Sequence, residues 1–135
     1  MIDVVGTMFF KSGKILIDKP RKRSTYQMVG GKVEESESIL DAAIRECREE
    51  LGANVSLNEK KFSFVMDFIE TATSDPTLKI HMYIFIYNEE INDDFVFSKE
   101  IEDIKYFGID DNYNLLSNSL RNKVIPYCIE HRLIY

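Results

Sequence analysis

Apolar residues recur along the chain in two different periods. From Asp3 to Phe10 the run is dense in Val, Thr and Phe, the composition of a strand. Lys11-Ser12-Gly13 reads as a turn and Lys14 to Asp18 as a second strand, so the two are expected to form a hairpin. A basic loop follows (Lys19, Pro20, Arg21, Lys22, Arg23), then a short apolar piece, Tyr26-Gln27-Met28-Val29, that stops at Gly30-Gly31. The period changes at Ser38. Leu40, Ala43, Ile44, Cys47 and Leu51 repeat at helical spacing and predict a buried stripe on a helix over 38–51. Ser38 is placed to cap it with Asp41 three residues on, and Gly52 suits the position after its end. Phe62 to Glu70 and Leu78 to Tyr87 predict two more strands, joined by a polar loop over 71–77. In the second of these, Ile80, Met82, Ile84 and Ile86 face one way and His81, Tyr83, Phe85 and Tyr87 the other, the pattern of a central strand covered on both sides. Lys105 to Ile109 predicts a further strand. Residues 117–131 read as helical, with Pro126 kinking that helix or opening a second one. Strands on either side of a strong helix, closed by another helix, predict an α/β fold with a mixed sheet packed between helices. With no repeat and no Pro- or Gly-rich linker, residues 1–135 read as a single domain.

Composition narrows the function classes. The 135 residues are 44% hydrophobic and 30% charged, ordinary for a globular chain, and nine Phe with seven Tyr can fill one core. The net charge of −6 argues against binding a nucleic-acid polymer through bulk charge. No apolar run approaches the ~18 residues of a membrane span, and the first residues lack a signal-peptide pattern. Cys47 and Cys128 form no C-x-x-C and two cysteines make no disulfide framework, so a reduced, cytoplasmic protein is expected. Two histidines cannot build a His-rich metal site. The chemistry therefore falls to carboxylates.

Glu46, Glu49 and Glu50 stand at i, i+3 and i+4 on the predicted helix, so their carboxylates share one patch. They lie near its C-terminal end, where acids cost roughly 0.3–1 kcal/mol each. A divalent cation reverses the sign of that cost, and oxygen ligands are what Mg2+ and Mn2+ take. Gly30-Gly31 allows close backbone approach to a ligand, Lys32 follows, and the 19–23 loop is cationic in an acidic chain. A carboxylate cage, a glycine loop and a basic loop are the parts needed to hold a metal-bound polyphosphate.

The segment GKVEESESILDAAIRECREELGA, residues 31–53, resembles the Nudix signature G-x5-E-x7-R-E-U-x-E-E-x-G-U, in which U is a bulky aliphatic. Gly31, Glu37, Arg45, Glu46, Glu49, Glu50 and Gly52 fall in register. The U positions hold the smaller Cys47, read as a core residue, and Ala53. Val29 stands where many relatives have Pro, and Ser36 where Gly is common. The resemblance implies a Nudix-type α/β/α sandwich and a MutT-like, Mg2+-dependent (Mn2+ also suitable) hydrolysis of a nucleoside diphosphate linked to another moiety. Glu46 and Glu50 would be metal ligands, Glu49 a ligand or positioner of water, the Gly30 carbonyl a backbone ligand, and Glu46 the base. Arg45 and Glu37 would tie the loop to the helix, with Gly31 and Gly52 structural. Lys32 and at least one of Lys19, Arg21 and Arg23 would meet phosphate, and Glu100 is a candidate downstream acid. Tyr26, Phe9, Tyr83 and Phe85 are candidate base stackers; Asp67 and His81 are candidate readers of a base edge. The implied substrate is a small nucleotide, foremost an intact or oxidised nucleoside triphosphate. ADP-ribose, a nucleotide sugar or a dinucleoside polyphosphate is the alternative, as is a non-catalytic nucleotide-binding module. An isoprenoid diphosphate isomerase would want a cleft cysteine. The resemblance leaves monomer or homodimer open.

Overall fold

The structure, a computed structural model, describes residues 1–135. Strand β1 (Ile2–Met8) runs at the centre of a four-stranded mixed sheet. It pairs antiparallel with β4 (Val29–Lys32) on one side and parallel with β6 (Asp75–Tyr87) on the other, and β5 (Phe62–Ala72) completes the order β4-β1-β6-β5. A second, antiparallel sheet has the order β2-β3-β7, from β2 (Phe10–Lys11), β3 (Lys14–Pro20) and β7 (Ile101–Phe107). The single mixed sheet of the sequence reading is thus accompanied by a smaller one.

The hairpin expected between the first two strands is therefore only a stub. Phe10 and Lys11 pair with Ile15 and Lys14, whereas β1 itself has both edges occupied by β4 and β6 and leaves none for β3. The chain changes sheets at the buried Phe9. Between β5 and β6 the ladder runs on through most of the expected polar loop, with Thr71 opposite Lys79 and Ala72 opposite Asp75. Threonine suits a strand, and polar side chains there stay in water without breaking backbone pairing. Strand β7 begins at Ile101, earlier than predicted, and ends at Phe107, beyond which the Gly108 amide donates to Asp111 Oδ2 at 2.8 Å.

Helix α1 (Ile39–Leu51) forms as its pattern requires. Ser38 Oγ accepts from the Asp41 amide at 3.1 Å, and the Gly52 amide donates to the Arg48 carbonyl. The buried face is Ala42, Ala43, Ile44, Cys47, Glu50 and Leu51; Leu40, expected on the stripe, is 39% exposed. The apolar members of this face pack on Val5, Leu16, Val29, Phe85 and Tyr87. Each such Leu, Ile or Val contributes roughly 1.5–3 kcal/mol by leaving water. The opposite layer joins Met8, Ile15, Ile17, Met28 and Ile84 to Leu120, Val124, Ile125 and Cys128. There a π-helical turn, Leu120–Val124, runs into α2 (Ile125–Glu130), and Pro126 stands in the first turn of α2. The helical run is continuous over 118–130, so Pro126, which lacks a donor, is accommodated just after the π turn and starts no separate helix. No helix is long and apolar enough to cross a membrane.

Candidate functional site

The short strand β4 brings the glycine pair against the C-terminal half of α1. The Gly30 amide donates to Glu50 Oε1 at 2.6 Å. A Cβ added to Gly31 would lie 2.5–2.7 Å from the Glu46 carboxyl atoms, so only glycine lets that carboxylate pass. Glycine at 30 is required by the opposite neighbour, because a Cβ there would collide with the Val5 carbonyl of β1. Gly30 thus meets the helix acids through its amide.

Arg45 organises the loop that precedes α1. Its Nε donates to Glu37 Oε2 at 2.7 Å, and its two Nη atoms reach Glu37 Oε1, the Lys32 carbonyl, Glu46 Oε1 at 2.9 Å and the exposed Glu49 at 3.4 Å. Glu37 also accepts from the Glu34 amide, which closes the turn. The Arg45 bonds hold the Glu37 carboxyl down at about 2, well below its ordinary value. Ser36, in this turn, has φ +64°, a left-handed conformation that glycine adopts freely.

One further acid, not singled out from the sequence, packs against Glu50. Asp18, on β3, is fully buried, and neither carboxylate oxygen has a hydrogen-bond donor. Its polar neighbours are acids: Glu50 abuts it, and Glu46 lies near enough to repel it. Burial pushes the Asp18 carboxyl up to about 7. Glu50 is raised well above the usual carboxylate range by burial and by Asp18, and Glu46 is raised by burial. The signal was present in the alternation of β3. Ile15 and Ile17 face one layer, while Leu16 and Asp18 face the layer under α1.

On the far side of the glycine pair lies a cleft of about 610 Å³. Gly30, Gly31 and Lys32 form one wall, Lys22 and Arg23 another, and Met28, Ile80 and Met82 its apolar floor, with Ser117 and Ser119 from the start of the C-terminal helical segment. Of the basic loop, Lys19 is paired with Glu102 at 2.8 Å and Arg21 Nε donates to the Lys99 carbonyl, which leaves Arg23 and the unanticipated Lys22 on the cleft. No aromatic, histidine or acid lines it. Tyr26 is turned away and donates to Asp103 Oδ2 at 2.5 Å, with Lys105 over its ring. Phe9 and Phe85 are core. Tyr83 stacks on His81, whose Nε2 lies 2.6 Å from Asp67 Oδ2, on the sheet face opposite the cleft. Glu100 lines a second hollow with Arg21, Lys22 and Lys99, and Lys22 is common to it and the cleft.

Three or more acids, histidines or cysteines do not converge here as a ready-made metal cage. The donor set nevertheless fits a hard cation: all-oxygen, acidic, partly buried, and with one carboxylate short of any partner. Glu46 is drawn aside toward Arg45 in this arrangement.

The comparisons with known proteins agree with this architecture. The family model described as NUDIX domain matches residues 3–128. CTP pyrophosphohydrolase of Escherichia coli (strain K12) is 40% identical over 63 residues, 44% of this chain and 47% of that protein, so the match spans about half of the curated relative. The MutT NUDIX hydrolase of Burkholderia pseudomallei superposes with a TM-score of 0.70 at 20% identity, over 90% of this chain and 93% of the other. The dihydroneopterin triphosphate pyrophosphohydrolase of E. coli gives 0.69 at 19% identity, over 95% of each chain. A bifunctional NMN adenylyltransferase/ADP ribose pyrophosphatase from Francisella tularensis gives 0.67 at 18% identity, over 97% of this chain and 41% of the other. At these identities the solved structures speak to fold.

Proposed function

The chain belongs to the NUDIX domain family, and from that premise we propose that it is a Mg2+-dependent pyrophosphohydrolase that cleaves nucleoside triphosphates to the monophosphate. The observation that carries the reading is the meeting at Gly30-Gly31 of two features: the acids of α1 on one side and a cleft bearing Lys22, Arg23 and Lys32 on the other. That meeting brings a negative cation-binding end within reach of a positive phosphate-binding mouth. The local identity to a CTP pyrophosphohydrolase supports a triphosphate over the alternatives.

In this reading Glu46, Glu49 and Glu50 would hold the cation, which would lower the pKa of water and offset charge developing on the phosphates. Lys22, Arg23 and Lys32 bind and orient the phosphate chain. Met28, Ile80 and Met82 take the base by apolar contact, and the hydroxyls of Ser117 and Ser119 stand at its edge. Arg45 and Glu37 fix the loop that carries Gly31 and Lys32. The Glu46 carboxylate, raised by burial, accepts the proton of the attacking water. The water oxygen bonds to a phosphorus of the α,β-anhydride as its P–O bond to the bridging oxygen breaks, and the nucleoside monophosphate and pyrophosphate leave.

The test is a panel with Mg2+: nucleoside triphosphates (oxidised purines included), ADP-ribose, nucleotide sugars and dinucleoside polyphosphates, with the products identified. Monophosphate and pyrophosphate from a triphosphate are expected. Nucleotide bound without turnover across the panel overturns the catalytic reading in favour of a binding module. Glu50→Gln is expected to lower kcat at least ~10²-fold with its circular dichroism unchanged; unchanged turnover would remove Glu50 from the site.

A further inference from the structure

Asp18 is a costly residue without a visible purpose in the free chain. A carboxylate stripped of water and given no donor costs several kcal/mol when charged, and buried acids are ordinarily paired with a donor or a metal. Here the polar contacts are other acids. Both Asp18 oxygens are orphaned, its nearest polar group is the Glu50 carboxylate, and Glu46 adds repulsion. Glu50 has a single donor, the Gly30 amide on Oε1. No lysine or arginine closes the gap: Lys19 is committed to Glu102 and Arg45 to Glu37, Glu46 and Glu49.

The position is also not one where an aspartate is needed for the backbone. Asp18 sits in regular pairing opposite Ile104 and makes a two-way backbone bridge with Gln27, at 2.9 and 2.7 Å, which any residue can make. An apolar residue would extend the Leu16 side of β3 into the core under α1. What the acid adds is one more oxygen donor, on a different element, aimed at the same patch as Glu50.

We propose that Asp18 is a carboxylate of the cation site, contributed by β3 and sharing the ion with Glu50 beneath the glycine pair. Two abutting carboxyl groups, one of them with no amide, hydroxyl or cationic donor on either oxygen, have the arrangement that a divalent ion neutralises from within. The inference rests on the proposed metal-dependent function, because it assigns Asp18 to the ion that Glu46, Glu49 and Glu50 are taken to hold.

The experiment titrates Mn2+ alone against the unmutated chain, Asp18→Asn and Asp18→Ser. Free ion is followed by electron paramagnetic resonance, and melting temperature is read with and without metal. The expected result is binding by the unmutated chain, a tenfold or greater loss of Mn2+ affinity in both variants, and loss of most of the Mn2+-induced rise in melting temperature. The metal-free variants melt no lower than the parent, since each has lost a buried carboxyl that has no amide, hydroxyl or cationic donor. Wild-type affinity in a folded Asp18 variant overturns the proposal and leaves the α1 acids as the site. Absence of Mn2+ binding by the unmutated chain at millimolar concentration overturns the metal reading and this inference together. A measurement free of substitution guards against misfolding: carboxyl 13C shifts during Mg2+ titration of the unmutated chain. Asp18 and Glu50 are expected to move together, and an Asp18 resonance that stays still while Glu50 moves removes Asp18 from the site.

Discussion

At the scale of the residue, Gly30 and Gly31 separate two kinds of necessity. A methyl at Gly30 meets backbone, the Val5 carbonyl of β1, whereas one at Gly31 meets the mobile end of Glu46. Gly30→Ala is therefore expected to lower stability by about 3 kcal/mol in urea unfolding. Gly31→Ala is expected to fold within about 1 kcal/mol of the parent and to lose Mn2+ affinity and turnover, because it displaces the Glu46 carboxylate. Equal stability losses in both would show that the two positions are not distinguished in this way. Glu37 gives a pH prediction of definite sign. Its carboxyl is held at about 2 in the fold against an ordinary 4.5, so its contribution to stability is present above pH 4.5 and is lost as pH falls from 4.5 through 2. Denaturant unfolding of the parent and Glu37→Gln is expected to show a stability gap above pH 4.5 that closes on acidification. A gap that persists at pH 2 would deny Glu37 this role. Asp18 marks the limit of reading single residues. Its neighbours in sequence make it look like a polar strand end before a basic loop, and its meaning comes from Glu50, thirty-two positions away.

At the scale of the element, α1 was legible because everything that specifies it is local: an apolar stripe at helical spacing, a Ser38 cap and Gly52, whose φ of +89° suits glycine. The loop before it was legible as a motif but not as a conformation. Ser36 at φ +64° holds a left-handed turn at a cost of roughly 1 kcal/mol that glycine avoids. Ser36→Gly is thus expected to raise the melting temperature by a few degrees with the Arg45–Glu37 contacts intact. A fall would mean that the Ser36 side chain supplies something the backbone conformation does not reveal. The C-terminal segment shows the reverse limit. Its helical period was readable, but the π turn that lets the helix run on through Pro126 was not.

At the scale of the whole molecule, the arrangement is polarised. α1 lies over one face of the mixed sheet with its acids turned under the glycine pair, and the cleft with its three cations opens on the other. The acidic cluster repels itself in the free chain, so a divalent ion that binds the folded state alone must stabilise it. By mass action the gain is about 2.7 kcal/mol at a hundred times the dissociation constant. Melting temperature is expected to rise with added Mg2+ and to return on chelation, and a melting temperature indifferent to Mg2+ at millimolar levels counts against the site. The chain alone determined the α/β class, the main helix, the signature acids and the basic loop, since local periodicity and fixed spacing encode them. Only the folded structure decided that β1 pairs with β4 and β6 instead of β3. It also decided that Lys22 and Arg23 face the cleft while Lys19 and Arg21 do not, that the aromatics chosen as base stackers stand elsewhere, and that Asp18 meets Glu50. Each of these depends on which edges and faces of distant segments are already occupied, and that competition has no local trace in the order of residues.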